Sequence, residues 1–239
     1  MFDLPDMYRV DVNVNLKDFI PKDLKTKDKK RIRDSIQSVK LEYQIAGEEI
    51  PSVINEEYRC QVIQFYDMKL ENIKEVKYLS TIYQSLIKPF CVIHFYDTKD
   101  EMYSFAIKRL SQTDHMQIII EQNLLTGKYM LGVPDSGRER LLAYMDYTKL
   151  KNRIDKVQFY KELFYKAYMI SNEKAYIHTQ KLLDGNCWYD SDRTARICKK
   201  YMDLVSLRDR LNTAVTNAER IKFNKEIKAE IQELDREAI

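Results

Sequence analysis

Little in this chain interrupts regular structure. Only five glycines and five prolines occur among 239 residues, which excludes long irregular or low-complexity stretches. No run of about 18 apolar residues exists, so no membrane span is expected. The opening MFDLPDMYRV has neither the basic start nor the apolar core of a secretory signal. The four cysteines, Cys60, Cys91, Cys187 and Cys198, are scattered. In a chain without an export signal they read as reduced thiols, and the expected location is the cytoplasm. GVPDSG matches no phosphate loop. The net charge of +3 is too small to demand a nucleic-acid or membrane partner.

What the chain does have is charge of both signs, 32% of residues, and seventeen tyrosines. Tyrosine serves cores and interfaces alike, because its ring buries area while its hydroxyl finds a partner. Residues 1–21 read as an extended lead-in. Ile32, Ile36, Val39 and Tyr43 recur at 4-3-4 spacing and predict one amphipathic helix over 28–46, with Gly47 as its stop. A strand is expected over 58–70, and a helix over 72–88 that ends at Pro89. Two alternating apolar runs flank DTKD within 90–110, which is a hairpin. HMQIIIEQ, residues 115–122, and part of LLTGKYMLGVP add strands, 134–150 reads as irregular, and a helix covers 151–170. The order predicts an α+β domain over 1–170, with a mainly antiparallel sheet and flanking helices.

Beyond residue 170 helix formers dominate. LLDGNCWYDSD is a turn, with Gly185 as breaker and Asp190, Ser191 or Asp192 as helix cap. Trp188, the one tryptophan, reads as an anchor of the appendage on the body. From there to Ile239 no glycine or proline occurs. Leu204, Leu207, Leu211, Ala214, Ala218 and Ile221 repeat at 3-4-3-4-3, a coiled-coil seam. It breaks at Lys225 and resumes out of phase with Ile227, Ile231, Leu234 and Ala238. Residues 171–239 are therefore a helical, coiled-coil tail, and the phase break fits either a stutter in one long helix or a hairpin of two.

Three sets of residues could carry chemistry, and each also has a purely structural reading. Asp67 and Lys69 in QFYDMKL share one strand face, the second half of a metal-nuclease signature. Such a site needs a further acid on a neighbouring strand. Upstream stand only Glu56 and Glu57, and downstream Asp97 and Asp100 belong to a turn. The favoured reading is a solvated strand end with an ion pair worth under about 1 kcal/mol. Cys91 and His94 are three apart and so point to opposite strand faces; His115 and His178 have no partner at ligand spacing, so no zinc site is expected and His94 reads as a hydrogen-bonded sheet residue. The basic segment 22–33 offers Lys25, Lys29, Lys30, Arg31 and Arg33, with Lys22 and Lys27, as possible phosphate contacts against the reading of a solvated face. No catalytic residue, metal site or cofactor is assigned.

Several stretches together resemble a bacterial family, the domain of unknown function DUF4391. They are MFDLP, NLKDFIPKDL, the segment ending near LEYQIA, RCQVIQFYDMKL, IYQSLIKPFCVIHFY, YSFAIKRL and the closing AERIKFNKEIKAEIQELDRE. The likeness covers nearly the whole chain and carries no active-site residues. It departs most over 111–150, and Lys69 is not a fixture of the family pattern. The resemblance implies an accessory role beside the helicases and DNA methyltransferases of restriction-like, phage-defence gene clusters. The expectation is a non-enzymatic subunit. Its partner, the helicase or methyltransferase of its cluster or a second copy, would meet Leu204, Leu207, Leu211, Ile221, Ile227, Ile231 and Leu234.

Overall fold

The computed structural model describes residues 1–114 and 117–238. The chain divides into two compact units, Met1–Phe164 and Tyr165–Ile239. Among the described residues no helix is long and apolar enough to cross a membrane.

The first unit is α+β around a seven-stranded sheet. Its strands are β1 (Arg9–Val14), β2 (Ile36–Ile45), β5 (Ile63–Leu70), β6 (Phe90–Tyr96), β7 (Asp100–Leu110) and β8 (Ile118–Leu125), in the order β1-β2-β5-β6-β7-β8; β9 (Tyr129–Met130) pairs with β7. A separate ribbon joins β3 (Val53–Ile54) to β4 (Arg59–Cys60). Every pairing is antiparallel except β5 with β6, which are parallel and connected by helix α3 (Val76–Leu86). A parallel pair needs such a crossover.

Both faces of β5 and β6 are covered, so their cores read as nearly unbroken apolar runs. On the first face Tyr66, Met68, Leu70, Ile93 and Phe95 pack with Leu79 and Tyr83 of α3, and with Ile32 of α2 (Thr26–Ser35). On the second face lie Ile63, Phe65 and Val92, all fully buried. Phe2 meets Phe65 edge-on at 6.4 Å, and Tyr160 of α5 (Lys156–Ser171) stacks on Phe90 at 4.6 Å. The Tyr160 hydroxyl is spent on the sheet backbone: it donates to the Cys91 carbonyl at 2.6 Å and accepts from the Ala106 amide at 3.0 Å.

The predicted helix over 28–46 is instead a helix to Ser35 followed directly by β2. Ile32, Ile36, Val39 and Tyr43 are all buried, as the stripe requires, but two elements bury them. Bulges between Ile36 and Ser38 and between Leu41 and Tyr43 break the period of two, and a strand with inserted residues imitates helical spacing. The lead-in is likewise ordered as β1 and a short helix α1 (Leu16–Phe19). The strand expected over 58–70 splits into β4 and β5. The segment read as irregular contains α4 (Ser136–Met145), capped by Asp135, whose side chain accepts from the Arg138 amide. In the strand expected over 115–122, His115 and Met116 lie outside the described residues.

In the second unit, α6 (Thr179–Asp184) ends at Gly185, where a Cβ would stand 2.9 Å from the Lys181 carbonyl oxygen. Trp188 is fully buried; its indole N–H donates to the carbonyls of Leu182 and Leu183 at 3.0 and 3.1 Å, and Lys166 lies over its ring. Asp190 caps α7 (Ser191–Thr213) through the amides of Asp192 and Arg193. The tail then turns at 214–216 into α8 (Asn217–Ala238), so it is a hairpin of two helices. The turn is closed by a reciprocal cap: Glu219 accepts from the Thr216 amide at 3.0 Å, and the Thr216 hydroxyl accepts from the Glu219 amide at 3.2 Å.

Candidate functional site

Strand register brings charges together on the second face of the first sheet. Asp67 of β5 stands opposite His94 of β6, and His94 opposite Tyr103 of β7. Asp67 Oδ1 lies 2.9 Å from His94 Nδ1, and Glu101 Oε2 lies 2.7 Å from His94 Nε2. The other oxygen of Glu101 accepts from the Arg138 guanidinium of α4, and the Tyr103 hydroxyl donates to Glu101 at 3.4 Å. The side chains of Glu101 and His94 are 2% and 17% exposed. Asp67 and His94 lie in the carboxyl halves of β5 and β6, on one face of the sheet. They line a cavity of about 350 Å³ together with Phe2, Asp3 and Glu42.

The electrostatics follow from this packing. Burial opposes ionisation of Glu101, but hydrogen bonds and charge from His94 and Arg138 outweigh it and hold its carboxyl down to about 2. Burial likewise opposes the charged form of His94, but Asp67 and Glu101 outweigh it and raise the imidazole above its ordinary value. Burial and the charge of Asp67 push Glu42 upward. Glu42 is an acid on the neighbouring strand that the sequence reading lacks, because that reading assigns 28–46 to a helix. The bulge beside it turns Glu42 toward the same cavity as Asp67. Asp67 is nonetheless engaged by His94, and among the described residues no three His, Cys, Asp or Glu side chains are arranged to hold a metal ion. Lys69 lies half-buried two residues further along β5.

The other predicted residues fall as follows. Lys25, Lys30 and Arg33 are exposed along α2 and its entry. Lys29 is half-buried and donates to the Lys22 carbonyl. Arg31 pairs with Glu75 at 2.8 Å and lies 3.9 Å over the Tyr78 ring. In the tail, Leu204, Ile227 and Leu234 are buried, Leu207, Leu211 and Ile231 half-buried, and Ile221 is 72% exposed. The hairpin thus spends part of its apolar seam on itself. The side chain of Ala238 lies outside the described residues. All four cysteines are buried; Cys91 contacts Gln84 and the buried ammonium of Lys108, which also donates to the Ile87 and Pro89 carbonyls.

Fold and site define a two-unit α+β protein whose first unit carries a buried charged array and whose second ends in a helical hairpin. The chain belongs to the DUF4391 family, a domain of unknown function, whose model matches residues 2–234. No curated protein and no solved structure matches it.

Proposed function

We propose that this protein is a non-enzymatic accessory subunit of a bacterial, cytoplasmic DNA-acting assembly, of the phage-defence or restriction-like kind. In this reading the second unit docks a helicase or DNA methyltransferase encoded beside it, or a second copy. The observation that carries the reading is the bare end of the α7–α8 hairpin. Val215 and Ile221 are 88% and 72% exposed there; elsewhere in the unit Ile177 and Tyr189 are exposed as well. Contiguous exposed apolar surface marks interaction sites. The half-buried Leu207, Leu211 and Ile231 extend the same seam.

The test is co-expression of the full chain with the neighbouring helicase and methyltransferase, followed by mass measurement in solution. The expected result is one stoichiometric complex, or a dimer, that the double variant Val215→Ser, Ile221→Ser dissociates while the fold is kept. A monomer that binds neither neighbour overturns the reading. A second reading, direct DNA contact, is favoured by the exposed row Lys25, Lys30 and Arg33. It predicts a gel shift that weakens steeply with salt and is lost in a triple Glu variant at those positions.

A further inference from the structure

At the amino ends of β5 and β6 two cations stand without acids. Arg59 of β4 and Lys88, between α3 and β6, are exposed, and among the described residues neither has an acidic partner. Both line a cleft of about 230 Å³. Its remaining walls are Gln61 and four apolar side chains, Val62, Pro89, Leu110 and Ile118. A narrower recess of about 20 Å³ shares Arg59, Lys88, Leu110 and Ile118 with the cleft and reaches Lys108. That is room for one water-sized group.

Lys108 is 3% exposed. Its ammonium donates to the carbonyls of Ile87 and Pro89 at 2.6 and 2.9 Å and lies 3.5 Å from the Cys91 sulfur. These carbonyls follow the end of α3, where the helix dipole supplies about half a negative charge. The buried cation is therefore only partly balanced, and among the described residues no carboxylate pairs with it. Arg109, next along β7, is already engaged by Glu121 at 2.7 Å and by the Leu110 carbonyl at 3.0 Å. Glu56 and Glu57, in the turn before β4, line neither space.

The geometry points to a binding site for a small organic acid, a carboxylate carried on a short branched apolar body, in the cleft between Arg59 and Lys88. Charge and wall chemistry each remove an alternative. A purely apolar ligand would leave both cations unused. A bare phosphate would set hydrated oxygens against four apolar side chains, which costs unless hydrogen bonds replace the lost water. The volume lies below the range of about 300–1,000 Å³ usual for drug-sized ligands, so the occupant is small. A carboxylate meets both halves of the cleft. The planar fork of Arg59 suits its two oxygens, and Lys88 adds a point charge. The apolar body covers Val62, Pro89, Leu110 and Ile118, with the positive field of Lys108 below. A free branched acid and the last residue of a polypeptide ending in leucine offer this same chemistry.

Nitrogen-15 NMR of the full chain at low salt separates the two sources. Isocaproate represents the free acid and N-acetyl-leucine the chain end. N-acetyl-leucinamide carries the body without the charge; acetate and inorganic phosphate carry charge without the body. We expect saturable shifts at the amides of Gln61, Val62, Lys88, Leu110 and Ile118, with 136–145 unmoved. At least one of the two acids should bind about tenfold more tightly than every control. Saturation by isocaproate assigns a free acid; saturation by N-acetyl-leucine alone assigns a chain end. Arg59→Gln and Lys88→Gln change exposed side chains and keep the fold. Each should weaken binding about tenfold, the worth of one charged hydrogen bond. The proposal is overturned by an amide or a phosphate that binds as well as the acids, by the absence of any saturable shift, or by unchanged affinity in the double variant.

Discussion

Two rows of opposite charge contrast in this chain, one buried at its centre and one exposed along its length. In the first unit Asp67, His94, Glu101 and Arg138 alternate across three strands and a helix, with Glu101 at 2% exposure. In the second unit Arg193, Arg196 and Lys200 of α7 face Glu237 and Glu233 of α8, and every side chain there is between 26% and 56% exposed. The two rows look alike as a census of ion pairs and differ in what they can do. A charge removed from water is costly unless it is fully paired, so deleting one member of the buried row strands its neighbours. A charge left in water loses little when its partner goes. The buried row fixes geometry; the exposed row decorates a hairpin that apolar contacts hold.

The largest effect should therefore come from Glu101→Ala, which removes the carboxylate that holds Arg138 and one of the two that hold His94. We expect a loss of about 3–5 kcal/mol in urea unfolding, the cost of breaking a buried pair. Acid should do the same reversibly. Glu101 is held down to about 2, so its contribution is present above the ordinary carboxylate range and fades as pH falls from about 4.3 through that value. An apolar yardstick on the opposite sheet face is Met68→Ala. Met68 is fully buried, and truncation should cost about 3 kcal/mol through lost burial and the cavity left behind. If Met68→Ala proves several-fold worse than Glu101→Ala, the buried row is better hydrated than its exposure implies and the contrast fails.

The buried row was only half legible in the sequence. Asp67 and Lys69 stand out in QFYDMKL because polar residues interrupt an apolar strand. Their real neighbours did not. His94 and Glu101 reach Asp67 through strand register, and register is a tertiary fact that one sequence does not encode locally. Arg138 comes from a helix whose start, PDSGRE, carries a proline and a glycine that read as loop, although Asp135 is a good cap. Glu42 was hidden by the bulges of β2, which gave a strand helical spacing. The α+β class, the hairpin of β6 and β7, α3 and the Asp190 cap were readable because each rests on spacing within one element. The hairpin of the tail was readable too, from a signal left unused. Thr216 and Glu219 in TNAE make a capping box, which marks a helix start inside the run and decides between one helix and two.

That cap supplies the next smaller effect. Thr216→Ala removes the hydroxyl that accepts from the Glu219 amide and should cost about 1 kcal/mol, the usual worth of such a cap. The hairpin should survive, because Leu204, Phe223, Ile227 and Leu234 remain buried. Loss of α8 protection in hydrogen exchange would mean that the turn, and not the apolar contacts, holds the two helices together.

The smallest effect should come from the exposed row. Lys200 pairs with Glu233, and the pair pulls the Lys200 ammonium upward and the Glu233 carboxyl downward. Both shifts arise at groups that water already solvates, with 26% and 48% of their side chains exposed. Salt screens such a pair, and its two long side chains lose freedom in forming it. Lys200→Ala should leave the urea midpoint within error of the parent at physiological salt, and Glu233→Ala should match it. The same Lys200→Ala measured in low salt gives the sharper form of the test, since screening is then weak. If its midpoint drops as far as that of Thr216→Ala even in high salt, the exposed row is holding the hairpin. The distinction between the two rows would then lie in their partners rather than in their exposure to water.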